Sequence, residues 1–254
     1  MDDVTAMLQD LVGLGTIDLG LERFLEASVA ARKNIVVCGG LRSGKTTLLR
    51  ALADAIPRSE SVLTIEDTFE LGLDGFPELW ALEVPRPSIG QRAITAADLV
   101  RAGLRMDADR LIVGEVRGAA EALSVLSAMS QNTAVSMCTV HAHSSTEAVG
   151  RLTSYALLAP GFFRETAQLL VADAVDVVLF VGYERAGRGG ASRRYVSSVI
   201  EVVAGGSTTN EIFRPGPDGR AVPGTPMGPE LLGDLQDVGY DASYLDRPEG
   251  WWTS

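Results

Sequence analysis

The stretch Gly39-Gly40-Leu41-Arg42-Ser43-Gly44-Lys45-Thr46 matches G-x-x-x-x-G-K-[ST], the phosphate-binding P-loop, without a mismatch. The apolar run at residues 35–38 precedes it and is typical of a buried parallel strand. Residues 46–56 follow it with helical spacing, and Leu48 and Leu52 share one face. Because strand, glycine-rich loop and helix is the context that the motif requires, we expect the chain to bind a nucleoside triphosphate.

The residue types of this loop predict individual contacts with the nucleotide. Backbone N–H groups of a glycine-rich loop close around phosphate oxygens, and the following helix N-terminus adds a favourable dipole. Lys45 is expected to reach the β- and γ-phosphates, and the Thr46 hydroxyl to hold the Mg²⁺ that accompanies ATP. The predicted nucleotide-binding residues are Gly39, Gly40, Leu41, Arg42, Ser43, Gly44, Lys45, Thr46 and Thr47.

The composition is typical of one large α/β domain with a small appendage. The chain has 254 residues, of which 46% are hydrophobic, so material for a core is ample. Its formal net charge of −11 weighs against a broad nucleic-acid surface, and no direct nucleic-acid partner is expected. Two cysteines, Cys38 and Cys138, are too few for a disulfide framework and are expected to be buried, reduced thiols, as in the cytoplasm. The N-terminus carries no signal-peptide pattern.

Apolar patterns that alternate between strands and helices predict a mainly parallel sheet with helices on both faces. The predicted strands are 35–38, 61–66, about 80–84, 110–114 and 135–140. The predicted helices are 4–13, 18–32 with Asp18 as N-cap, 46–56, 95–105 with a Thr95–Asp98 capping box, 119–129, one from Ser144 with a Glu147 capping box, and 162–172. Residues 175–181 and 195–203 predict a β-hairpin, and a last strand is expected at 211–214. The ending therefore predicts antiparallel strands at one edge of the sheet.

Acidic residues follow two of the predicted strands. Glu66-Asp67 follow one strand and Glu115 ends another. Ligands of open α/β sheets bind beyond the carboxyl ends of the strands, so both sites are expected to face the γ-phosphate. A carboxylate there orients a water or coordinates Mg²⁺, although an acidic residue at a strand end is also common as a helix cap.

His141 ends a further predicted strand and has two interpretations. It either binds or senses the γ-phosphate through a side-chain N–H, or is an ordinary half-buried histidine. His141 and His143 have no third ligand at suitable spacing, so no metal site of their own is predicted.

Two features in the last third of the sequence each allow two interpretations. The loop from Glu184 to Arg194 holds Arg185, Arg188, Arg193 and Arg194, and it is either a solvated hairpin tip or a nucleic-acid contact. Trp251-Trp252 are either an anchor for a partner or packed against the same chain.

Four segments, in this order along the chain, resemble the secretion traffic ATPases of type II and type IV secretion and pilus systems, most closely their tight-adherence (Tad) pilus branch. They are a Walker A loop at 39–47, an acidic box at 64–71, a Walker B segment at 104–118 and the end of a His box at 136–142. The resemblance covers about residues 7–214.

The resemblance implies a RecA-like P-loop ATPase that assembles into a hexameric ring. Such rings bind an inner-membrane platform protein from the cytoplasmic side and couple ATP hydrolysis to secretion or pilin assembly. By family role Glu66 and Glu115 would position or activate water, and His141 would couple the state of the γ-phosphate to conformation. Residues 1–33 would be N-terminal linker helices, 34–214 the RecA-like ATPase domain, and 215–254 a Pro-rich, linker-like C-terminal tail with one short helix.

Three departures from the family pattern keep a second hypothesis open. Leu41 and Arg42 replace a Thr-Gly pair, and an arginine lacks the freedom of glycine at positive φ. Residues 131–135 replace a histidine-containing segment, and His143 stands where Asn is usual. The family also carries an N-terminal domain over the nucleotide, and this chain begins near the linker to it. The alternative is therefore a nucleotide-binding but hydrolysis-poor regulatory or scaffold subunit, whereas a small-molecule kinase or a DNA motor is disfavoured.

Overall fold

The computed structural model describes residues 7–87, 90, 92–131, 135–185, 192–203, 205 and 208–252, and at Val135 the backbone alone. The predictions about residues 132–134 and about Arg188 lie outside these described residues.

Nine strands form one sheet in this part of the chain. They are β1 (Ile35–Gly39), β2 (Val62–Glu66), β3 (Leu79–Glu83), β4 (Arg110–Val116), β5 (Val135–His141), β6 (Val177–Glu184), β7 (Arg193–Val202), β8 (Thr209–Pro215) and β9 (Ala221–Pro223). Their spatial order is β3-β2-β4-β5-β1-β6-β7-β8-β9. In this spatial order, each neighbouring pair from β3 through β2, β4, β5 and β1 to β6 is parallel, and each pair from β6 to β9 is antiparallel. The predicted fold class, a mainly parallel sheet with antiparallel strands at one edge, is confirmed.

Helices cover both faces of this sheet. They are α1 (Leu8–Gly13), α2 (Leu19–Ala30), α3 (Lys45–Asp54), α4 (Ala96–Gly103), α5 (Ala119–Ser130), α6 (Ser145–Leu157), α7 (Arg164–Ala174) and α8 (Pro229–Asp237), followed by a short 3₁₀ helix (Ala242–Leu245). Helices α1, α2, α3 and α8 bury apolar residues against one face, and α4 to α7 do so against the other. Successive side chains of β1 point to opposite faces of the sheet and so contribute to both cores. Ile35 and Val37 belong to the first core, and Val36 and Cys38 belong to the second.

Local capping follows the sequence at two helices and departs from it at one. Asp18 caps α2 by accepting the N–H of Leu21 at 2.7 Å, and Thr95 with Asp98 forms the predicted capping box of α4. At α6 the Ser144 hydroxyl accepts the N–H of Glu147, as predicted. The Glu147 carboxylate, however, accepts the N–H of His143 at 2.8 Å, so the prediction that Glu147 closes the box on Ser144 is wrong.

Both cysteines are buried and free, as predicted. Burial raises the pKa of the Cys38 thiol to about 12 and that of Cys138 to about 12. Neither side chain is therefore a thiolate near neutral pH, and both act as small apolar core residues.

The segment after Pro215 is predicted to be a linker-like tail with one short helix. The helix is present as α8, but the segment also contains a paired strand. Strand β9 pairs with β8, and α8 buries Leu231 and Leu235 in the first core. The final aromatics pack on the same chain: the Trp251 ring N–H donates to the Tyr244 carbonyl at 2.8 Å, and that of Trp252 to Ala221 at 3.0 Å. The five prolines after Pro215 are typical of a linker because they lack a backbone N–H donor. They do not prevent a short strand from pairing at the edge of the sheet.

Candidate functional site

A cavity of about 1250 Å³ opens around the P-loop at the carboxyl ends of the strands. Strand β1 lies inside the sheet between β5 and β6, so the loop that follows it is flanked on both sides. In register, Gly39 pairs with His141 on one side and with Val181 on the other. The sheet thus holds the P-loop between two sets of side chains from different strands.

The predicted nucleotide-binding residues divide into two groups. Residues 41–47 line the cavity. Gly39, the last residue of β1, and Gly40, which follows it, are not part of the lining. Gly39 has no room for a side chain, because a Cβ there would lie 2.5 Å from the Ser43 hydroxyl and 2.7 Å from the Val181 carbonyl oxygen. The first glycine therefore permits close packing of the loop against β6.

The backbone of the loop is bent at two positions. Gly44 has φ +98° and Arg42 has φ +62°, both in the left-handed region. Glycine enters this region freely, whereas a residue with a side chain does so at a cost of about 1 kcal/mol. The departure at Arg42 that the sequence singled out thus falls on a position whose backbone favours glycine.

The donors that face this bend fit a phosphate chain. Helix α3 begins at Lys45, and no side chain among the described residues caps it at Gly44. The Ser43 hydroxyl is buried and has no hydrogen-bond partner in this part of the chain. Uncapped N–H groups at a helix N-terminus and an unsatisfied buried hydroxyl are donors that an anion would satisfy.

Lys45 and Thr46 make contacts that a nucleotide would replace. The Lys45 ammonium donates to the Gly40 carbonyl at 3.1 Å, which folds the side chain back over the loop. The Thr46 hydroxyl donates to the Glu70 carboxylate at 3.4 Å. Hydroxyl and carboxylate oxygens are ligands that Mg²⁺ accepts beside phosphate oxygens, so this pair fits a nucleotide-bound magnesium ion.

Glu66 is buried at the end of β2, with 4% of its surface exposed. One carboxylate oxygen accepts the backbone N–H groups of Glu70 and Leu71 at 2.8 and 2.9 Å. Glu66 lines the cavity, and it also fixes the loop that brings Glu70 to Thr46.

Glu115 belongs to a small network of charges. Its carboxylate accepts from the Arg117 guanidinium at 2.9 Å, and Arg117 also pairs with Asp67. The hydrogen bond to Glu115, together with the charges of Asp67 and Glu121, raises the pKa of Arg117 above its ordinary value. Arg117 therefore stays charged and ties the ends of β2 and β4 together.

His141 reaches the cavity from β5 and is half-buried there. Its ring meets that of His143 edge-on, with centroids 5.3 Å apart. The pairing of β4 with β5 shifts register between Val113 and Val116, and the Thr139 hydroxyl donates to the Gly114 carbonyl at 2.6 Å inside that irregularity. A bulge of this kind re-aims the side chains beside it, here those of Glu115 and His141.

Several residues that were not among the predicted site residues line the cavity from the side of β6 and β7. Strand β7 supplies Arg193, Arg194 and Tyr195, the turn before β9 supplies Arg220, and the loop after α1 supplies Leu14 and Thr16. We call Arg193, Arg194 and Arg220 the basic side of the cavity, and Glu66, Asp67, Glu70 and Glu115 the acidic side. In the sequence, only the consecutive arginines Arg193 and Arg194 point to this side of the cavity. Because they are far from the P-loop along the chain, the sequence does not show that they lie close to it.

Within the described residues no group of three or more histidines, cysteines and carboxylates is placed to hold a metal ion by itself. Over the same residues the helices are too short or too polar to cross a bilayer.

Comparison with known proteins assigns the family. The model of the family described as "Type II/IV secretion system protein" matches residues 1–180. A putative conjugal transfer protein of Mycobacterium tuberculosis is 38% identical over 184 residues, which are 71% of this chain and 51% of that protein. The type IV secretion system protein PtlH of Bordetella pertussis is 38% identical over 177 residues, 68% of this chain and 51% of its own length.

Solved structures agree on the fold. The VirB11 ATPase of the Brucella suis type IV secretion system, in complex with sulphate, superimposes with a TM-score of 0.63 and 31% identity, covering 76% of this chain and 54% of that one. The pilus retraction motor PilT with bound ADP gives a TM-score of 0.57 over 77% of this chain and 54% of that one, and at 20% identity it shows the fold alone.

This chain spans about half the length of the relatives it matches. The relatives are named for conjugal transfer and type IV secretion, so the resemblance to the Tad branch stays a prediction. The family match runs through the P-loop, the acidic side of the cavity and His141. The chain belongs to the type II/IV secretion system protein family, whose members VirB11 and PtlH are type IV secretion proteins.

Proposed function

We propose that this chain is the ATP-hydrolysing motor domain of a type II/IV secretion or Tad-type pilus assembly system. One observation carries the proposal: a single cavity brings together the P-loop, the acidic residues at the carboxyl ends of β2 and β4, and His141. The chain is proposed to work in a hexameric ring, at the cytoplasmic face of the membrane, on an inner-membrane platform protein. The sulphate named with the VirB11 ATPase is an anion of the kind that a P-loop binds, which supports a phosphate site here.

ATP binding would use the loop from Gly39 to Thr47. Backbone N–H groups at the start of α3 would hold the phosphate chain, and Lys45 would exchange the Gly40 carbonyl for β- and γ-phosphate oxygens. Thr46 would hold Mg²⁺, which neutralises charge on the β- and γ-phosphates when it is bound. Glu70, beside Thr46, would accept from waters around that ion.

The two proposed catalytic carboxylates differ in their surroundings. Glu66 has one oxygen committed to the N–H groups of Glu70 and Leu71, so we assign it the task of holding the loop and ordering water from its remaining acceptor sites. Glu115 is held by a side chain alone, through Arg117. It is therefore the better candidate for orienting the attacking water, because a guanidinium can rearrange when a nucleotide enters. His141 would donate a ring N–H toward the γ-phosphate and so sense its loss.

The hydrolysis-poor alternative is supported by particular residues. Arg42 adopts a backbone conformation that favours glycine, and Glu115 is tied up by Arg117. A chain of this kind would bind ATP tightly and signal its presence without turning it over. The division into linker helices at 1–33 and an ATPase domain at 34–214 likewise stays a proposal.

Steady-state ATP hydrolysis by the purified chain across a range of protein concentrations tests the proposal. Turnover per chain that rises with concentration and disappears in Glu115→Gln is the result expected of an oligomeric motor. Tight ATP binding without turnover at any concentration would instead point to a subunit that senses nucleotide, or to a motor domain that needs the part of its relatives which this chain does not span. Absence of ATP binding would contradict both.

A further inference from the structure

Arg194 of β7 lies directly on the P-loop. Its Nε donates to the Arg42 carbonyl oxygen at 3.0 Å. At Gly44 an added Cβ would lie 3.1 Å from the Cδ of Arg194, so the arginine stem covers the glycine that starts α3. The chain segments in contact are 152 residues apart. Tertiary structure alone therefore brings a second cation, beside Lys45, to the phosphate-binding loop.

The charge of Arg194 is not neutralised by the described part of the protein. Its neighbour Arg193 pairs with the Glu184 carboxylate at 2.6 Å, and Arg220 pairs with Asp218 at 2.7 Å. Arg194 makes no ion pair with a described carboxylate; its guanidinium lies 5.3 Å from the centre of the Tyr183 ring. An arginine held by a backbone carbonyl and an aromatic face keeps its terminal N–H groups available, and a cation–π contact leaves the charge in place.

The position of Arg194 in the sheet determines which part of a bound nucleotide it can contact. The carboxylates lie at the carboxyl ends of β2 and β4, on the far side of β5 from the P-loop, whereas β7 lies beyond β6 on the opposite side. Arg194 thus approaches the loop away from Glu115. Its anchor is the loop backbone at Arg42, where the phosphate-binding N–H groups lie.

We propose that Arg194 is a phosphate-binding residue supplied within the same chain, which holds the phosphate chain of a nucleoside triphosphate against the P-loop. A guanidinium presents several N–H donors in one plane and matches phosphate oxygens better than an ammonium group does. The inference rests on the proposed nucleotide site, and it adds a ligand from the region beyond residue 180, where the family match ends.

Two substitutions separate this role from a structural one. Arg194→Gln removes the charge and keeps an N–H donor for the Arg42 carbonyl, whereas Arg194→Ala removes both. Arg214→Gln is the matched control, because Arg214 is exposed on neighbouring β8 and lies outside the cavity lining. Dissociation constants for ATP and GTP are measured on each full-length variant, and thermal unfolding without nucleotide checks that each is folded.

The expected result is a loss of affinity of about 10- to 100-fold in both Arg194 variants, equal for ATP and GTP, with no change in Arg214→Gln. Wild-type affinity in Arg194→Gln with a loss only in Arg194→Ala would overturn the inference, because the carbonyl contact alone would then matter. A loss for one nucleotide and not the other would also overturn it, because Arg194 would then contact the base.

Lys45→Ala distinguishes this inference from the proposed function. If wild type binds ATP, Lys45→Ala abolishes binding and Arg194→Ala is unchanged, the P-loop assignment stands and the role of Arg194 falls. If wild type binds no nucleotide at all, the proposed function itself fails and the inference fails with it.

Discussion

The two sides of the cavity differ in charge, in origin and in how they are held. The acidic side comes from residues at or just after the carboxyl ends of β2 and β4, inside the region that the family model matches. The basic side comes from β7 and the turn before β9, beyond residue 180. Glu66 and Glu115 are held by local contacts. Arg194 is held by the Arg42 carbonyl, 152 residues away, and Arg220 stacks on Trp252 in addition to its local ion pair with Asp218. On the proposed function, the acidic side would carry the chemistry and the basic side would contribute affinity for the nucleotide.

The largest expected effect divides those two roles. Glu115→Gln should lower the turnover number for ATP about 10²- to 10⁴-fold, because it removes the carboxylate that we propose orients the attacking water. The dissociation constant for ATP should change by no more than about threefold, since Glu115 makes its ion pair with Arg117 and none with the P-loop. Single-turnover hydrolysis and a fluorescence titration measure the two quantities. A large loss of affinity with unchanged turnover would reverse the comparison.

The next effect concerns the loop between the two sides. Lys45→Ala should weaken ATP binding by about 100-fold or more, because it removes the cation that is proposed to make charge-assisted hydrogen bonds to the β- and γ-phosphates. Isothermal titration measures it, with Lys33→Ala as a control, since Lys33 pairs with Asp176 and Asp234 away from the cavity. Equal affinity in Lys45→Ala and wild type would refute the P-loop assignment.

A smaller effect tests how the C-terminal segment supports the basic side. Arg220 stacks on the Trp252 ring at 4.1 Å, and the ring N–H of Trp252 donates to the Ala221 carbonyl. Trp252→Ala should lower the free energy of unfolding by about 1–2 kcal/mol, the sum of one cation–π contact and one hydrogen bond. Chemical denaturation measures the change.

Trp252→Phe is the matched variant for that measurement, because it keeps an aromatic face for Arg220 and loses only the hydrogen bond. It should recover about half of the lost stability. ATP affinity should fall by no more than about threefold in Trp252→Ala. A larger fall would move Trp252 from support to direct binding.

The smallest effect is the response to salt. Raising the salt concentration from 50 to 200 mM should weaken ATP binding a few-fold in wild type, because the distance over which exposed charges interact, about 10 Å at 0.1 M, shortens as the ionic strength rises. The slope should be shallower in Arg194→Gln, which has one cation fewer at the phosphate site. Identical slopes would contradict a contribution of Arg194 to phosphate binding.

Much of the fold was predictable from the sequence because its signals are local. The strand before the P-loop, the caps at Asp18 and Thr95, and the antiparallel hairpin each depend on residues close together in the chain. The acidic residues were predictable for a related reason: the carboxyl ends of parallel strands share one edge, so residues there meet whatever their separation.

The misses have physical reasons as well. Prolines after Pro215 suggested a linker, but β9 needs few backbone donors to pair at the edge of a sheet. Glu147 was expected to cap Ser144 and accepts the N–H of His143 instead, one residue earlier. Arginines in a hairpin have no periodicity that would reveal which surface they cover.

The sequence by itself determined that this chain has a P-loop on a parallel sheet, with carboxylates and His141 at the strand ends, because those features follow from local pattern and strand direction. Only the tertiary structure decided that Arg194 lies on the backbone of Arg42, that Glu66 fixes the loop carrying Glu70, and that Trp251 and Trp252 close on their own chain. These contacts join segments through side chains whose reach and direction depend on the packing of the whole sheet.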